Sequence, residues 1–285
     1  MNATEIWETV RDRYLSTKRE PEWLPQNILD QLSANSFNRY YHCVYSQCGE
    51  DGIIEEIFKR LNISQGFCVE FGAYDGVSLS NTRALWEKGW TAVMIEMNPF
   101  LFSLLTKVYD KNERSLLLNY FITWREDDSR GLTFDQIAEK HFADREIDFL
   151  SIDIDGADYL ILENLKCRPK VICIEADLCW HPLARERIPD VHAISGTQQP
   201  LFVMIDIAKK KGYSPLCTTG NLFLIRDDLF YHFENTSSDE LTLWMDAWKC
   251  TPWRQHIIQH RNSHPVFLQF QNKELEETYS VFKDF

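Results

Sequence analysis

The sequence predicts an α/β domain built on a doubly wound, mostly parallel sheet. Two observations predict it: short apolar runs alternate with segments of helical apolar spacing, and a glycine-containing turn joins the first run to the next helix. Strands that alternate with helices favour a parallel sheet with helices on both faces. Ligands of such sheets bind outside the carboxyl ends of the strands, so we expect the functional residues there.

The predicted elements run in order along the middle of the chain. Strands are predicted at six apolar runs, residues 67–71, 90–95, 115–122, 148–154, 170–174 and 221–225. Helices are predicted at residues 51–61, 80–88, 99–109, 134–141, 159–165 and 201–211. Ser80 or Asn81 is the expected cap of the second helix, and Gly212 is expected to end the last one.

The chain is long enough for one large domain with extended ends. Its 285 residues are 44% hydrophobic, which is sufficient for a sizeable core. We expect a helical N-terminal extension at residues 1–45, the main domain at residues 46–232, and an aromatic-rich C-terminal extension packed on the same domain at residues 233–285. Trp244, Trp248 and Trp253 recur at near-helical spacing, which is typical of a core or a subunit contact, and a homodimer is therefore expected.

The balance of charge limits the expected partners. The formal net charge is −13, from 43 acidic and 30 basic residues, whereas nucleic-acid binding usually rests on a basic surface. No stretch approaches the roughly 18 consecutive apolar residues that span a bilayer, and the first residues are polar, unlike a signal peptide. We therefore expect a cytoplasmic protein that binds neither nucleic acid nor membranes.

Eight cysteines are present, and none belongs to a C-x-x-C pair. Because no export signal is recognised, the expected state is reduced thiols in a reducing compartment. Their spacings do not favour a zinc site.

The most informative stretch is VEFGAYDG at residues 69–76. A predicted strand ends in an acidic residue, Glu70, and the chain then turns through Gly72 and Gly76 into a helix. Gly72 permits a ligand to approach the backbone closely, and the next helix offers free N–H groups to an anionic group. The stretch therefore predicts a nucleotide-type ligand at the first crossover of the sheet.

Two ligand classes compete for this turn. A dinucleotide fingerprint has the pattern G-x-G-x-x-G, but alignment with it fails at Glu70 and Tyr74. An acid at position 70 would repel a pyrophosphate, whereas it suits a ligand with an ammonium and a sulfonium, such as S-adenosylmethionine. Glu96, at the end of the second strand, is placed to accept both ribose hydroxyl protons, which supports an adenosine ligand of either class.

These residues resemble the FkbM-type methyltransferases. The resemblance covers about residues 46–228 and is based on SQCGEDG at 46–52, VEFGAYDG at 69–76, LSNT at 79–82, IE at 95–96 and SIDIDGADY at 151–159. It continues through residues 171–175, 211–213 and 219–221. It implies a seven-stranded, Rossmann-like class I methyltransferase fold, S-adenosylmethionine as the methyl donor, and usually O-methylation of a sugar or natural product.

The resemblance also implies a cofactor site. The turn after the first strand would meet the methionine part, the 80–82 segment its carboxylate, and Glu96 the ribose. Thr123 would lie beside the adenine, and Gln47 would reach the cofactor from the segment before the first strand. The implied cofactor residues are Gln47, Glu70, Gly72, Ala73, Tyr74, Asp75, Gly76, Ser80, Asn81, Thr82, Glu96, Met97, Asn98 and Thr123.

Acidic residues are predicted to gather on the acceptor side of the site. Asp153, Asp155 and Asp158 follow the fourth predicted strand, and Glu175 and Asp177 follow the fifth. In a doubly wound sheet these two strand ends are neighbours. Carboxylates placed together repel one another unless a positive group is present.

Two mechanisms account for this cluster. In the first, Asp153, Glu175 and Asp177 hold a divalent ion, for which Mg²⁺ is favoured, and the ion lowers the pKa of the acceptor hydroxyl. In the second, no metal is bound and Asp155 or His181 is the general base. The predicted catalytic residues are Asp153, Asp155 and His181, whereas Asp158 is expected to cap the following helix.

The leading hypothesis is an S-adenosylmethionine-dependent methyltransferase that acts on a hydroxyl of a small molecule. An N-methyltransferase remains open, because acidic walls suit an amine. The other hypotheses are an NAD-dependent oxidoreductase, against which Glu70 argues, and a non-catalytic S-adenosylmethionine-binding subunit, in which the acceptor-side acids would be dispensable.

Overall fold

The computed structural model describes residues 20–109, 112–178, 180, 184–193, 198–237 and 239–251. Its central feature is a seven-stranded sheet. The strands in chain order are β1 (Phe67–Phe71), β2 (Thr91–Ile95), β3 (Ser115–Leu118), β4 (Phe149–Ile152), β5 (Val171–Glu175), β6 (Tyr213–Thr218) and β7 (Asn221–Arg226).

Helices connect these strands and cover the sheet. They are α1 (Gln26–Leu29), α2 (Glu50–Arg60), α3 (Arg83–Glu87), α4 (Pro99–Tyr109), α5 (Phe134–Phe142), α6 (Asp158–Asn164), α7 (Asp190–Ala193), α8 (Leu201–Lys210) and α9 (Glu240–Cys250). Within the described ranges, no helix combines the length and the apolar character required to cross a bilayer.

The strand order in the sheet is β6-β7-β5-β4-β1-β2-β3. Strand β7 runs antiparallel to both of its neighbours, and the other pairs are parallel. The chain winds outward from β1 to β3, returns to β4 beside β1, and then winds outward on the other side. The order therefore reverses between β1 and β4, which is where ligands of such sheets bind. The predicted fold class is confirmed.

The sheet separates two apolar cores. Val69 and Val93 belong to the core on one face, and Cys68 and Ala92 to the core on the other. Successive residues of a strand point to opposite faces, so an inner strand with both faces covered must be apolar throughout. This requirement explains why the inner strands were predicted from continuous apolar runs.

Strand β6 is absent from the sequence-based prediction. Its sequence, YSPLCT, contains Pro215, which lacks a backbone N–H and is usually excluded from central strands. The strand lies at the edge of the sheet, next to β7 alone, and its register with β7 shifts between Pro215 and Cys217. An edge position tolerates the missing donor, so tertiary context overrides the local signal.

Two predicted boundaries are wrong in ways that affect the site. Helix α3 begins at Arg83 and not at residue 80, and the Ser80 hydroxyl accepts the N–H groups of Arg83 at 3.0 Å and Thr82 at 3.3 Å. Residues 80–82 are therefore a segment that precedes the helix. Strand β3 ends at Leu118, four residues before the predicted end, because the polar Asn119 interrupts the apolar run.

The N-terminal extension is only partly helical where it is described. Residues 20–45 contain α1, a one-turn 3₁₀-helix at Phe37–Tyr40, and two short strands, Glu22–Trp23 and His42–Cys43, that pair antiparallel. Residues 1–19 lie outside the described part of the chain.

The aromatic stripe of the C-terminal extension belongs to the core. Trp244 and Trp248 on α9 stack with ring centroids 5.2 Å apart, and both are buried against the sheet core. Trp253 lies outside the described residues. The two described tryptophans thus pack within their own chain, so they give no support to the expected homodimer, which stays a prediction.

Candidate functional site

The turn after β1 adopts backbone conformations that residues other than glycine rarely occupy. Gly72 and Gly76 have φ values of 76° and 79°, and Tyr74 and Leu79 have values of 51° and 61°. A positive φ is ordinary for glycine, but for a bulky residue it costs about 1–3 kcal/mol. Because strain of this kind clusters at functional sites, the backbone points to the same turn as the sequence.

Gly72 brings the end of β1 against the end of β4. A β-carbon at Gly72 would lie 1.6 Å from the carbonyl oxygen of Asp153. The N–H of Asp153 also donates to the carbonyl of Phe71 at 3.3 Å. The sequence predicted that Gly72 permits a ligand to approach, whereas in the structure the nearest atom is the backbone carbonyl oxygen of Asp153 at the end of β4. The cofactor turn and the acidic cluster are therefore in direct contact.

Glu70 is buried and holds the 80–82 segment. One carboxylate oxygen accepts the N–H of Asn81 at 2.7 Å, and the other accepts the hydroxyls of Ser80 at 2.7 Å and Thr82 at 2.6 Å. Burial raises the pKa of Glu70, and these hydrogen bonds oppose the increase. The carboxylate is occupied by its own chain, so Glu70 orders the 80–82 segment beside the cleft.

The remaining residues of the turn stabilise the turn itself. Asp75 accepts the N–H groups of Val77 and Ser78 at 2.9 and 2.7 Å, and the carbonyl of Gly76 accepts the hydroxyl of Tyr109 at 2.6 Å. These bonds fix the turn against α4. The predicted cofactor residues that are buried in and after this turn are Ala73, Asp75, Gly76, Ser80, Asn81 and Thr82.

Glu96, at the end of β2, joins two loops of the predicted cofactor side. Its carboxylate accepts the N–H of Tyr74 at 2.9 Å with one oxygen and the N–H of Asn98 at 2.7 Å with the other. A carboxylate has about four acceptor positions, so two remain for the ribose hydroxyls. Asn98 in turn caps α4 by accepting the N–H of Phe100 at 2.9 Å, and Met97 is 60% exposed beside Glu96.

Asn119, directly after β3, contacts the end of β2, where the sequence-based prediction expected Thr123. Its side-chain amide donates to the carbonyls of Glu96 at 2.7 Å and Met97 at 3.2 Å. Thr123 instead donates to Asp128 at 3.2 Å. The difference follows from the predicted length of β3, because the strand ends at Leu118 and Asn119 is therefore the residue that follows it. The role of Thr123 beside the adenine stays a prediction.

Thr123 also lines a cavity that is separate from the other predicted site residues. The cavity has a volume of about 230 Å³. Its lining includes Trp124, Phe134 and Lys166, and Thr123 is the one predicted cofactor residue among the lining residues described.

The acidic cluster forms at the ends of β4 and β5. One oxygen from each of Asp153, Asp155 and Glu175 lies within 4.8 Å of the others. Burial and then the neighbouring carboxylates raise the pKa of Asp153 to about 8 and that of Glu175 to about 9. Within the described residues, no ion pair to any of these three carboxylates is present. The cluster therefore holds uncompensated negative charge or protons.

The sequence predicted Asp177 as the third carboxylate beside Asp153 and Glu175, whereas the structure brings Asp155 there. The backbone of Asp155 has a φ of 58°, and its carboxylate faces the other two. Asp177 pairs through its backbone with Pro200 and is not a member of the cluster. His181 lies outside the described residues, so its predicted catalytic role stays a prediction.

Asp158 is a buried residue that orders the start of α6. Its carboxylate accepts the N–H groups of Ile154 at 2.9 Å and Gly156 at 3.0 Å. Burial raises its pKa. The predicted cap is not observed, because Asp158 is the first residue of α6, Ala157 is the N-cap, and no described side chain caps the helix. The Asp158 carboxylate instead orders the loop before α6 and raises the pKa of Asp153 and Glu175.

Gln198 contacts the acidic cluster and is absent from the predicted site. Its amide nitrogen donates to Asp158 at 2.6 Å and to Glu175. Its side chain is buried, and its amide oxygen accepts no hydrogen bond from the described residues. No local pattern marks this glutamine, because it lies 23 residues after Glu175 and reaches it only through the return of the chain.

Gln47 lies on an ordered segment whose neighbours are fixed by two buried acids. Asp51 accepts the N–H of Ser46 at 2.9 Å, and Glu50 accepts the N–H of Cys48 at 2.5 Å. Glu50 also accepts the hydroxyl of Thr219 at 2.6 Å, and burial raises the pKa of Glu50. The exposed Gln47 is thus presented between two anchored residues.

One family model matches the chain over the region that contains the acidic cluster. Residues 125–194 match the model described as the methyltransferase FkbM domain. Over this quarter of its length the chain is similar to the FkbM-type methyltransferases. The match agrees with the resemblance seen in the sequence and with the predicted enzyme class, an S-adenosylmethionine-dependent methyltransferase. No curated protein sequence matches this methyltransferase significantly.

Several solved structures are similar to parts of this chain. The fibrillarin pre-rRNA processing protein of Methanococcus jannaschii is 14% identical, with 57% of this chain and 67% of that chain covered and a TM-score of 0.38. A putative caffeoyl-CoA O-methyltransferase from Staphylococcus aureus is 11% identical, with 79% and 93% covered and a TM-score of 0.40. Aeropyrum pernix fibrillarin with natively bound S-adenosyl-L-methionine is 10% identical, with 56% and 66% covered and a TM-score of 0.35.

Proposed function

We propose that this methyltransferase transfers a methyl group from S-adenosylmethionine to a hydroxyl oxygen of a small molecule, such as a sugar or natural product. The observation that supports the proposal is the contact between Gly72 and Asp153. It joins the cofactor turn of β1 to the acidic end of β4. A methyl donor seated on the turn would therefore present its methyl group toward the carboxylates.

The cofactor side has the groups that an adenosine and an amino acid require. Glu96 has two free acceptor positions for ribose hydroxyls, and Met97 offers an exposed apolar surface next to it. Asn119 holds the backbone of both residues and would lie at the edge of the adenine. The 80–82 segment, fixed by Glu70, would border the methionine part.

The acceptor side would manage the proton of the reacting hydroxyl. S-adenosylmethionine supplies an electrophilic methyl group, and methyl transfer to an alcohol forms the new C–O bond as the C–S bond breaks. The hydroxyl proton must then leave, and the ionised form of Asp153 would receive it at a carboxylate oxygen. Because methyl transfer requires an in-line approach, the walls that orient the hydroxyl contribute as much as the base.

A divalent cation is the further part of the proposal. Asp153, Asp155 and Glu175 together offer three oxygen ligands, which suits a hard ion such as Mg²⁺. The three carboxylates fit such an ion because no ion pair neutralises them among the described residues. A bound cation supplies Lewis acidity that lowers the pKa of the acceptor hydroxyl.

An amine acceptor is the second candidate, favoured by the same uncompensated carboxylates. An ammonium group would bind them directly, but it must lose a proton before its nitrogen can accept a methyl group. The amine and the cation compete for one place, so the two candidates predict opposite effects of added Mg²⁺ on the rate.

The proposal is tested by transfer of a labelled methyl group from S-adenosylmethionine to a panel of hydroxyl and amine acceptors, with Mg²⁺ or with a chelator. We expect label on a hydroxyl acceptor, a rate that falls on chelation, and a fall of about 100-fold or more in Asp153→Asn. Glu113→Gln, an exposed glutamate remote from the cluster in sequence, is the matched control. Label on amines alone would overturn O-methylation, and a rate indifferent to chelation would overturn the role of the cation.

A further inference from the structure

Gln198 closes the base of the loop that follows β5. The loop begins after Glu175, and the chain returns at Gln198, where the amide nitrogen meets both Glu175 and Asp158. An amide nitrogen has two hydrogens, so both are used, one on each carboxylate. The glutamine therefore links the last residue of β5 to the first residue of α6.

The two carboxylates that Gln198 contacts differ in the number of other hydrogen bonds that hold them. Asp158 is anchored, because it also accepts the N–H groups of Ile154 and Gly156. Within the described residues, the side-chain hydrogen bond that the Glu175 carboxylate accepts comes from Gln198. The orientation of the Glu175 carboxylate in the acidic cluster thus depends on Gln198, and through it on Asp158.

Hydrogen bonds anchor the backbone at Gln198 and the residue that follows it. The carbonyl of Gln198 accepts the indole N–H of Trp180 at 3.0 Å. The next residue, Gln199, accepts the N–H of Ile188 and donates to the carbonyl of Ile188, both at 2.8 Å. These bonds anchor the backbone at Gln198, so its side chain reaches Glu175 from a fixed point.

We propose that Gln198 is a positioning residue for the cation site. It orients Glu175 toward Asp153 and Asp155 by spanning Glu175 and Asp158. Its amide oxygen is buried and accepts no hydrogen bond from the described residues, so it would be available to a water of a hydrated cation, since Mg²⁺ usually retains several waters in proteins. This inference rests on the proposed function.

The test is a titration of the protein with Mn²⁺, followed by calorimetry or by electron paramagnetic resonance of the free ion. Gln198→Met keeps the length and approximate volume of the side chain and removes both donors. We expect its Kd for Mn²⁺ to rise about tenfold, while its Kd for S-adenosylmethionine stays within twofold of wild type. An unchanged or lower Kd for Mn²⁺ would overturn the inference. If Gln198 only shielded the negative charge of the carboxylates, it would weaken cation binding in the wild type, and its removal would tighten binding.

The adjacent glutamine provides the matched control. Gln199→Met removes two hydrogen bonds to Ile188 and touches no carboxylate of the cluster. We expect it to lower the Tm as much as Gln198→Met does and to leave the Kd for Mn²⁺ within twofold. Equal losses of Mn²⁺ affinity in both variants would show a general loosening of the loop and would overturn a specific role for Gln198.

Two further variants separate the inference from the proposed function. In a Glu175→Gln background, Gln198→Met should have no additional effect on Mn²⁺ binding if it acts through Glu175. If Gln198→Met does not fold, Gln198→Asn is the substitute, because its shorter side chain reaches one carboxylate at most. We expect Gln198→Asn to weaken Mn²⁺ binding by a smaller factor. Wild-type Mn²⁺ affinity in Gln198→Asn would overturn the inference. A wild-type protein that binds no Mn²⁺ would overturn the cation itself, whereas wild-type binding with an unaffected Gln198→Met would overturn the inference alone.

Discussion

Gly72 and Asp153 approach so closely that a β-carbon on Gly72 would lie 1.6 Å from the carbonyl oxygen of Asp153. The two residues end neighbouring parallel strands, one on each side of the point where the strand order reverses. A glycine is required here for two reasons, the backbone conformation and the space. The contact joins the predicted cofactor side to the predicted acceptor side.

Replacement of Gly72 should therefore damage both stability and cofactor binding. We expect Gly72→Ala to lower the free energy of unfolding by about 3 kcal/mol, because the added methyl group meets fixed backbone and the φ is unfavourable. Gly89→Ala is the matched control, since its φ is 100° but its β-carbon would meet only the flexible side chain of Gln65. It should cost about 1 kcal/mol. Equal costs in denaturant unfolding would show that the approach to Asp153 is not tight.

S-adenosylmethionine binding tests whether Asn119 or Thr123 contributes to the adenine site. Asn119→Ala removes the bonds to the carbonyls of Glu96 and Met97. We expect the Kd to rise about tenfold, which corresponds to about 1.4 kcal/mol. Thr123→Ala should change the Kd less than twofold. The reverse result in calorimetry would restore Thr123 to the adenine site.

The raised pKa of Asp153 predicts how stability depends on pH. Burial raises this pKa from 3.8 to about 8, so between those values the folded protein binds more protons at Asp153 than the unfolded chain does. The free energy of unfolding contributed by this group therefore falls as the pH rises through the window. Asparagine cannot ionise, so the stability of Asp153→Asn relative to wild type should increase from pH 6 to pH 9.

Thermal unfolding at several pH values in the presence of a chelator measures this difference. At pH 9 we expect Asp153→Asn to have a Tm a few degrees above wild type, on the order expected for about 1 kcal/mol in a domain of this size. Asp144→Asn, an exposed aspartate, should follow wild type at every pH. Parallel curves for Asp153→Asn and wild type would contradict a buried, proton-holding carboxylate.

The inner part of the fold was predictable from the sequence, and its edge was not. Strands β1 and β5 have both faces covered, so their apolar runs define them almost to the residue. At the edge of the sheet that constraint disappears. Strand β6 contains Pro215 and three hydroxyl residues, and its strand character depends on pairing with β7.

The residues of the candidate site also divide into those that the sequence could predict and those that it could not. The positions of Glu96, Asp153 and Glu175 were predictable, because Glu96 and Asp153 directly follow a buried strand and Glu175 is the last residue of one. Asn119 was missed because one polar residue decides where β3 ends. Gln198 was missed because its contact with Glu175 forms only when the loop after β5 returns, and no periodicity records where a loop returns.

The most direct test of the account is a calorimetric titration of the protein with S-adenosylmethionine and, separately, with NAD⁺ and NADH. We expect saturable binding of S-adenosylmethionine alone, lost in Glu96→Ala, whose carboxylate joins Tyr74 and Asn98 at the predicted ribose position, and retained in Glu113→Ala. Absence of S-adenosylmethionine binding, or tighter binding of a nicotinamide cofactor, would contradict the assignment of the turn between Gly72 and Gly76.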